Sequence, residues 1–267
     1  WDIVTLDNPG AFLHVDLDEE VIMVLSREVA ELMANVEPKL YRPYIITTSK
    51  RESILYVKMQ KAMYGLLRSA LLFYLKLQKD LEEFGFVIND YSPCIANAMV
   101  NGSQMTMVWH VDNHKVSHRE GREITKLLLY LGKIYGPNIA VNRGKIHDYL
   151  GIDFDFSQEG VVKLSMMNKI MKIFGDFPEE IGKPCATPAS DHLFVIRDPD
   201  KTERFGKYLP EEMAKQFHHT VTQLLFIATC VRRDIQTAVA FLTTRVKKPD
   251  EDDWGKLKRV LKYLKGP

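Results

Sequence analysis

The sequence predicts an α+β fold: an antiparallel sheet with packed helices in the first part of the chain, followed by a mainly helical second part. Three patterns carry this. Apolar runs that meet turn residues and come back read as hairpins, as around residues 105–117. Three- and four-residue apolar periodicity intervenes between them. After residue 165 that periodicity dominates.

Residues 2–6 (Asp-Ile-Val-Thr-Leu) are a β-branched run ending at Asp7 and then Pro9-Gly10, a strand followed by a turn. A second apolar run, 21–25, follows the acidic stretch 16–20. From residue 59 to 84 the pattern is helical: Met63, Leu66, Ala70, Phe73, Leu77, Leu81 and Phe84 share a face, and Gly85 supplies the stop. Residues 105–111 read as a strand, Asp112-Asn113 as a tight turn tolerating positive φ, and 115–117 as the returning strand. Ser117 with Glu120 forms a capping box for a helix whose Ile124, Leu127, Leu128 and Leu131 face one way and which ends near Gly136-Pro137. Ile152, Phe154 and Phe156 alternate with Asp153, Asp155 and Ser157, and Gly160 turns this strand into 161–164. Helices over 166–174, 218–231 and 254–264 follow, with Asp234 capping another over 235–246. A polar loop through Pro184, Pro188 and residues 198–200 separates the first two. The last helix sets Leu257, Val260, Leu261 and Leu264 against Lys256, Lys258, Arg259, Lys262 and Lys265. The boundary between the two parts falls near 157–164.

At 267 residues, 46% hydrophobic and 27% charged, the chain supports about two domains and excludes global disorder. Its 36 basic and 35 acidic residues leave a net charge of +1, which selects no class of partner. Three scattered cysteines without a CxxC pair argue against a disulfide framework and fit a reducing, intracellular setting. The longest uncharged apolar run, near 224–231, is far shorter than the roughly 18 residues a membrane span needs. A start at Trp1 without a signal peptide reads as a segment of something longer.

Two acids stand out by position: Asp7 ends a strand and Asp112 tips a hairpin. An aspartate beside a turn is ordinarily just a turn residue. If the two strands are neighbours, however, both carboxylates leave the same edge and can hold a pair of Mg²⁺ ions roughly 3.5–4 Å apart, as in nucleotidyl transfer. Magnesium commonly takes one or two carboxylates and completes its shell with substrate phosphates.

The run VTLDNPGAFLH at 4–14 with DLDE at 16–19, KAMYGL at 61–66 running to Phe73-Tyr74, WHVDN at 109–113, DYLGI at 148–152, RRDI at 232–235 and LKRVLKYLKG at 257–266 stand in this order along the chain. Together they resemble the motifs of copia-type LTR retrotransposon reverse transcriptases. The resemblance implies a right-hand polymerase: a palm over 1–156 with partial fingers at about 26–60, then a thumb and the start of a connection over 157–267. It implies an RNA-directed DNA polymerase that extends a DNA primer with dNTPs on an RNA or DNA template. Flanking integrase and ribonuclease H domains in a polyprotein, and a cytoplasmic particle without membrane contact, are implied with it. Asp7 and Asp112 would be the metal ligands for Mg²⁺ (with Mn²⁺ an alternative), and Asn113 the third member of the catalytic set. Phe12 would gate against a ribose 2′-OH, although an apolar Phe after a strand is often simply core. Tyr64, Gly65 and Arg68 would lie against nucleotide and template, Lys145 or His147 could protonate the leaving pyrophosphate, and Tyr149, Leu150 and Gly151 would form the primer grip.

The chain departs from the family pattern at Asn113, an amide in place of the second hairpin acid, and at Arg68 and Ala70, which replace a Gln and a Pro. The upstream basic fingers segment and the downstream ribonuclease H domain lie outside this sequence. A degenerate, non-catalytic palm that at most binds nucleic acid is therefore the alternative. Arg245, Lys247, Lys248 and the basic face of the last helix could track duplex phosphates or be a solvated face interrupted by acids at 250–253. His110, His114 and His118 would share a face as zinc ligands on a helix, but the turn expected between them scatters them. His218-His219 reads as helix surface.

Overall fold

A computed structural model describes residues 1–196 and 207–266; residues 198–200 of the expected polar loop lie outside the described residues. The chain divides into two compact units, Trp1–His147 and the remainder from Asp148. The division comes earlier than the 156/157 boundary expected, because Ile152 already packs against the second core. Both units mix helices with antiparallel strand pairs, so the α+β class is what the chain adopts.

In the first unit the strands are β1 (Asp2–Asp7), β2 (Ile22–Ser26), β3 (Ile46–Thr47), β4 (Ser53–Lys58), β5 (Val87–Ile88), β6 (Ile95–Val100), β7 (Ser103–His110), β8 (Asn113–His118) and β9 (Ala140–Arg143). Its helices are α1 (Glu28–Val36), the single turn α2 (Pro38–Tyr41), α3 (Ser69–Phe84) and α4 (Gly121–Tyr135). A six-stranded antiparallel sheet runs β5-β6-β7-β8-β1-β9, so the two strands carrying the singled-out acids are neighbours. Strand alternation sends Val4, Leu6, Met105, Met107, Trp109 and Val116 to one face, where they pack with Phe73, Leu77 and Leu81 of α3 and Ile124, Leu127 and Leu131 of α4. Asp7, Asn113 and Lys115 alternate to the other face. A second, three-stranded sheet ordered β2-β4-β3 occupies the region of the expected fingers.

Three local expectations are corrected in this unit. The helix begins at Ser69, not residue 59. Residues 59–62 are extended instead: Met59, Leu17 and Ala62 N–H groups donate to the carbonyls of Val21, Gln60 and Val15. Gly65 then turns at φ 93°, and the Ser69 hydroxyl donates to the Met63 carbonyl at 2.6 Å, closing the loop on itself. The hairpin turn is Val111-Asp112, one residue earlier than expected, because His110 pairs with Asn113. Finally, Ser117 pairs inside the sheet with Ile3 and Thr106 and caps no helix. Helix α4 starts at Gly121, where a Cβ would stand 2.7 Å from the Asp2 carboxylate, and Arg143 donates both to that carboxylate and to the Gly121 carbonyl.

The second unit opens with β10 (Ile146–Tyr149), inside which the division falls, then β11 (Ile152–Asp155) and β12 (Lys163–Ser165), in that order in a three-stranded sheet. Helices α5 (Met167–Asp176), α6 (Glu211–Cys230), α7 (Gln236–Thr243) and α8 (Glu251–Leu264) enclose a core of Ile170, Phe217, Leu224, Val239, Leu257 and Leu261. Asp234 does not cap a helix by its side chain; its carboxylate takes the Arg232 guanidinium at 2.7 Å and is held down at a pKa of about 2 by that bond. Helix α8 does carry a side-chain cap: Asp250 accepts from the Asp253 N–H while Asp253 accepts in return from the Asp250 N–H. No helix among the described residues is long and apolar enough to cross a membrane.

Candidate active site

Strand β1 delivers Asp7 at its last position, directly opposite Asn113 at the first position of β8. Asp112 precedes Asn113 in the hairpin turn, and its carbonyl accepts the Asn8 N–H at 3.0 Å, tying the strand end to the turn. Val111, the first turn residue, sits at φ 56°. A β-branched side chain is strained there, and such strain persists only where surrounding pairing enforces it. Here Trp109 and His114 face each other across the hairpin and are both buried, so a one-residue slip would turn both outward.

The Asp112 carboxylate accepts from the Tyr64 phenol at 2.6 Å on one oxygen and from the Asn113 amide at 3.1 Å on the other. That bond, with desolvation and the charges of Asp112 and Asp7, pushes the Tyr64 phenol up to about 12. Asp7 is raised above the ordinary carboxylate range by desolvation and then by the Asp112 charge. The two acids thus share one electrostatic neighbourhood. Asn113 supplies polarity without charge.

Phe12 lies on a single 3₁₀ turn, 7% exposed, with its ring 4.5 Å from Tyr64 and 6.2 Å from Phe73. It is both core and floor, reaching the site through the Tyr64 ring. Gly65, beside Tyr64, faces open space. Arg68 is engaged elsewhere, ion-paired with Asp18 at 2.6 Å.

Lys145 and His147 differ sharply. Lys145 is exposed, whereas His147 is fully buried with one ring nitrogen against the Thr5 hydroxyl at 3.2 Å and the other against the Gly144 carbonyl at 3.0 Å. Both nitrogens being occupied, the proton-donor expectation for His147 does not fit its surroundings. In the second unit, Leu150 and Gly151 form a two-residue loop with φ of 56° and 75°, as a type I′ hairpin requires. The Asp148 carboxylate accepts the Gly151 N–H at 3.0 Å, and Tyr149 is buried beside Phe154.

The histidine series is separated. His110 is exposed, His118 is bound through its ring to the Glu120, Val100 and Ser103 backbone, and His114 is buried and lowered to about 4 by desolvation, hence neutral. Among the described residues no group of three or more His, Cys, Asp or Glu side chains is placed to hold a metal. The donor set at the strand end is therefore two carboxylates. Hard oxygen donors of that number suit Mg²⁺ when phosphate oxygens complete its shell. The residues present fit that ion.

Sequence reasoning missed three features here. The Tyr64 phenol on Asp112 joins positions with no local pattern between them. Lys115, cross-strand from Thr5, is lowered by desolvation on the same sheet face as Asp7. Asn8 is 1% exposed on the opposite, core face; its residue type, polar in a strand-end slot, was the available signal.

No protein-family model matches the chain. Its homologues are copia-type Pol polyproteins of plant and yeast transposons, matched at modest identity. The Retrovirus-related Pol polyprotein from transposon TNT 1-94 of Nicotiana tabacum is 23% identical over 99% of this chain and 18% of its own length. That from transposon RE2 of Arabidopsis thaliana is 26% identical over 100% of this chain and 16% of its own. A transposon Ty5-1 protein of Saccharomyces cerevisiae is 24% identical over 76% of this chain and 62% of its own. The chain thus spans less than a fifth of the two plant polyproteins. Among solved structures, it is similar to a chain of telomerase from Candida albicans in complex with a fragment of telomeric RNA, with a TM-score of 0.36, 10% identity, and coverage of 99% of this chain and 45% of that one. Apo telomerase from Candida tropicalis gives a TM-score of 0.36 at 9% identity, covering 97% and 47%.

Proposed function

We propose that the chain is the core of a reverse transcriptase, extending a DNA primer with dNTPs on an RNA or DNA template, with Asp7 and Asp112 at its catalytic centre. The observation that carries this is the meeting of the two carboxylates at one strand end, where Asp7 feels the charge of Asp112. Similarity over the whole chain to transposon Pol polyproteins supports it. In this reading the first unit is palm with fingers at about 26–60, and the second is thumb and start of connection. Integrase and ribonuclease H would flank them in a polyprotein working in a cytoplasmic particle.

Asp7 and Asp112 would hold two Mg²⁺ ions, which supply activation of the primer 3′-hydroxyl and charge stabilisation at the transferred phosphate, a service Mn²⁺ can also perform. Tyr64 orients Asp112 through its phenol, and its ring, resting on Phe12, forms the floor on which a deoxyribose would lie. Phe12 would then limit the room for a 2′-OH. Gly65 leaves backbone open toward nucleotide and template, and Arg68 steadies that loop through Asp18. Lys145, exposed and cationic, is the better candidate than His147 for returning a proton to pyrophosphate. Tyr149, Leu150 and Gly151 would present the primer-grip hairpin.

Primer extension on an RNA template tests the reading. Asp7→Ala is expected to abolish incorporation, and activity surviving that change would overturn the assignment of the centre. A second reading, a non-catalytic palm that binds nucleic acid only, is favoured by one observation: the Asn113 amide donates to Asp112 and contributes no third charge. It predicts no incorporation by the native chain at any Mg²⁺ concentration, with activity appearing in Asn113→Asp.

A further inference from the structure

We propose that a cavity in the second unit, between the segment 183–192 and α8, is a binding site for a phosphate group. The cavity measures about 410 Å³ and is lined by Lys183, Ser190, His192, Gly255, Arg259 and Lys262, among others. Residues 252, 255, 256, 259 and 262 recur at three- and four-residue steps, so one face of α8 forms its wall while Trp254, Leu257, Val260, Leu261 and Leu264 fill the core behind.

The charge on that wall is unbalanced. The acid lining it, Asp252, is paired with Lys256 at 2.9 Å, and Lys256 also donates to the Val195 carbonyl at 2.8 Å. Lys183, Arg259 and Lys262 pair with no acid among the described residues. Arg259 donates through one terminal nitrogen to the Thr187 hydroxyl at 2.8 Å, yet its Nε is sealed from water with no hydrogen-bond partner. An anion in the cavity cannot reach that sealed nitrogen, but it can meet the terminal N–H groups of the same guanidinium, which lines the cavity and has no carboxylate partner among the described residues.

The wall is also held open. Lys265 donates to the Ile181 carbonyl at 2.9 Å before the segment and Lys256 to the Val195 carbonyl at 2.8 Å after it, with the Cys185 thiol donating to the Arg259 carbonyl between them, so the segment is fixed to the helix at both ends before any ligand arrives. Gly255 sits inside α8, where glycine weakens a helix, and a Cβ built there meets nothing within 4 Å. It keeps the floor empty. Three cations with no acid partner among the described residues suit a small, multiply charged oxyanion with donors needed on several sides, while the His192 ring at the rim is already held between the Ser190 hydroxyl at 3.0 Å and the Asp252 carboxylate at 3.6 Å. A phosphate group fits that description, whether it belongs to a nucleic-acid backbone or to free pyrophosphate. The site stands apart from the nucleotidyl-transfer reading and survives the loss of Asp7.

Calorimetric titration with pyrophosphate, and separately with an RNA–DNA duplex, tests it on the full chain carrying Asp7→Ala. Two variants are compared with that parent: the pair Arg259→Gln with Lys262→Gln, and Gly255→Leu, which fills the floor without changing charge and improves the helix. Each should weaken pyrophosphate binding by roughly 10- to 100-fold, the ratio expected for lost charge-assisted hydrogen bonds. If duplex affinity falls in parallel and pyrophosphate displaces the duplex, the phosphate comes from a backbone; if duplex affinity holds, it is a free polyphosphate. A parent that binds neither probe, or variants that bind both as tightly as the parent, would overturn the proposal.

Discussion

Tyr64 donates its phenolic proton to Asp112 at 2.6 Å, so the loop before α3 carries the group that orients the hairpin acid. The pairing leaves a signature in the tyrosine. Because the bond to the carboxylate is the largest cause of its pKa near 12, Asp112→Asn should return Tyr64 toward the ordinary phenol value of about 10. NMR titration of the tyrosine ring signals measures this. An unchanged Tyr64 titration in Asp112→Asn would show that the phenol faces another group.

Asp7 carries the opposite sign of a stabilising carboxylate. Its folded pKa is raised, by desolvation and by Asp112, so the folded chain binds the proton more tightly than the unfolded chain does. Stability associated with Asp7 is therefore greatest below its unfolded pKa and is lost as pH rises through the raised folded value. Asp7→Asn should raise the melting temperature at neutral pH in the absence of divalent cations, and the gain should vanish in acid, below the ordinary Asp range. Thermal melts of both proteins across that range decide it.

Much of the first unit was legible because strands with one buried face write their alternation into the chain. The run at 2–6, the β7–β8 pair and the apolar stripe of α4 all sit where periodicity put them. What was not legible depended on partners remote in sequence. Asp112-Asn113 has the better local turn chemistry, yet burial of Trp109 against His114 holds the turn at Val111-Asp112 despite the strained φ of Val111. The helical period through 59–68 is broken by the extended pairing of 59–62 with 15–21 and by the Ser69 staple, which no window around residue 63 contains. Asp7 and Asp112 could be singled out by position, but their charge coupling and the Tyr64 bond required the assembled sheet.

His147 and Lys145 should part company under mutation. His147 is fully buried with both ring nitrogens engaged, so His147→Ala leaves Thr5 and the Gly144 carbonyl without partners and opens a cavity. A loss of about 2–4 kcal/mol in unfolding free energy is expected. Lys145→Gln, at an exposed position, should leave stability within about 0.5 kcal/mol and slow single-nucleotide incorporation instead. Denaturant melts and single-turnover kinetics on the pair separate the two effects; a slowed, fully stable His147→Ala would restore that residue as a proton donor.

Asn113 offers the sharpest test of the two-carboxylate site. It stands opposite Asp7 in register and already contacts Asp112, so Asn113→Asp places a third acid beside two that repel each other. Without divalent cations the added charge should lower the melting temperature, since like charges at one site disfavour joint ionisation. With Mg²⁺ the order should reverse, because a further hard oxygen donor with charge tightens binding and ligand binding stabilises the fold by mass action. A roughly tenfold gain in affinity would add about 1.4 kcal/mol of stability at saturating Mg²⁺. Melting curves of the native chain and the variant over a Mg²⁺ series measure both limbs. If Mg²⁺ shifts the two proteins equally, position 113 does not face the cation; if it shifts neither, the strand-end acids lose their claim to be a metal centre.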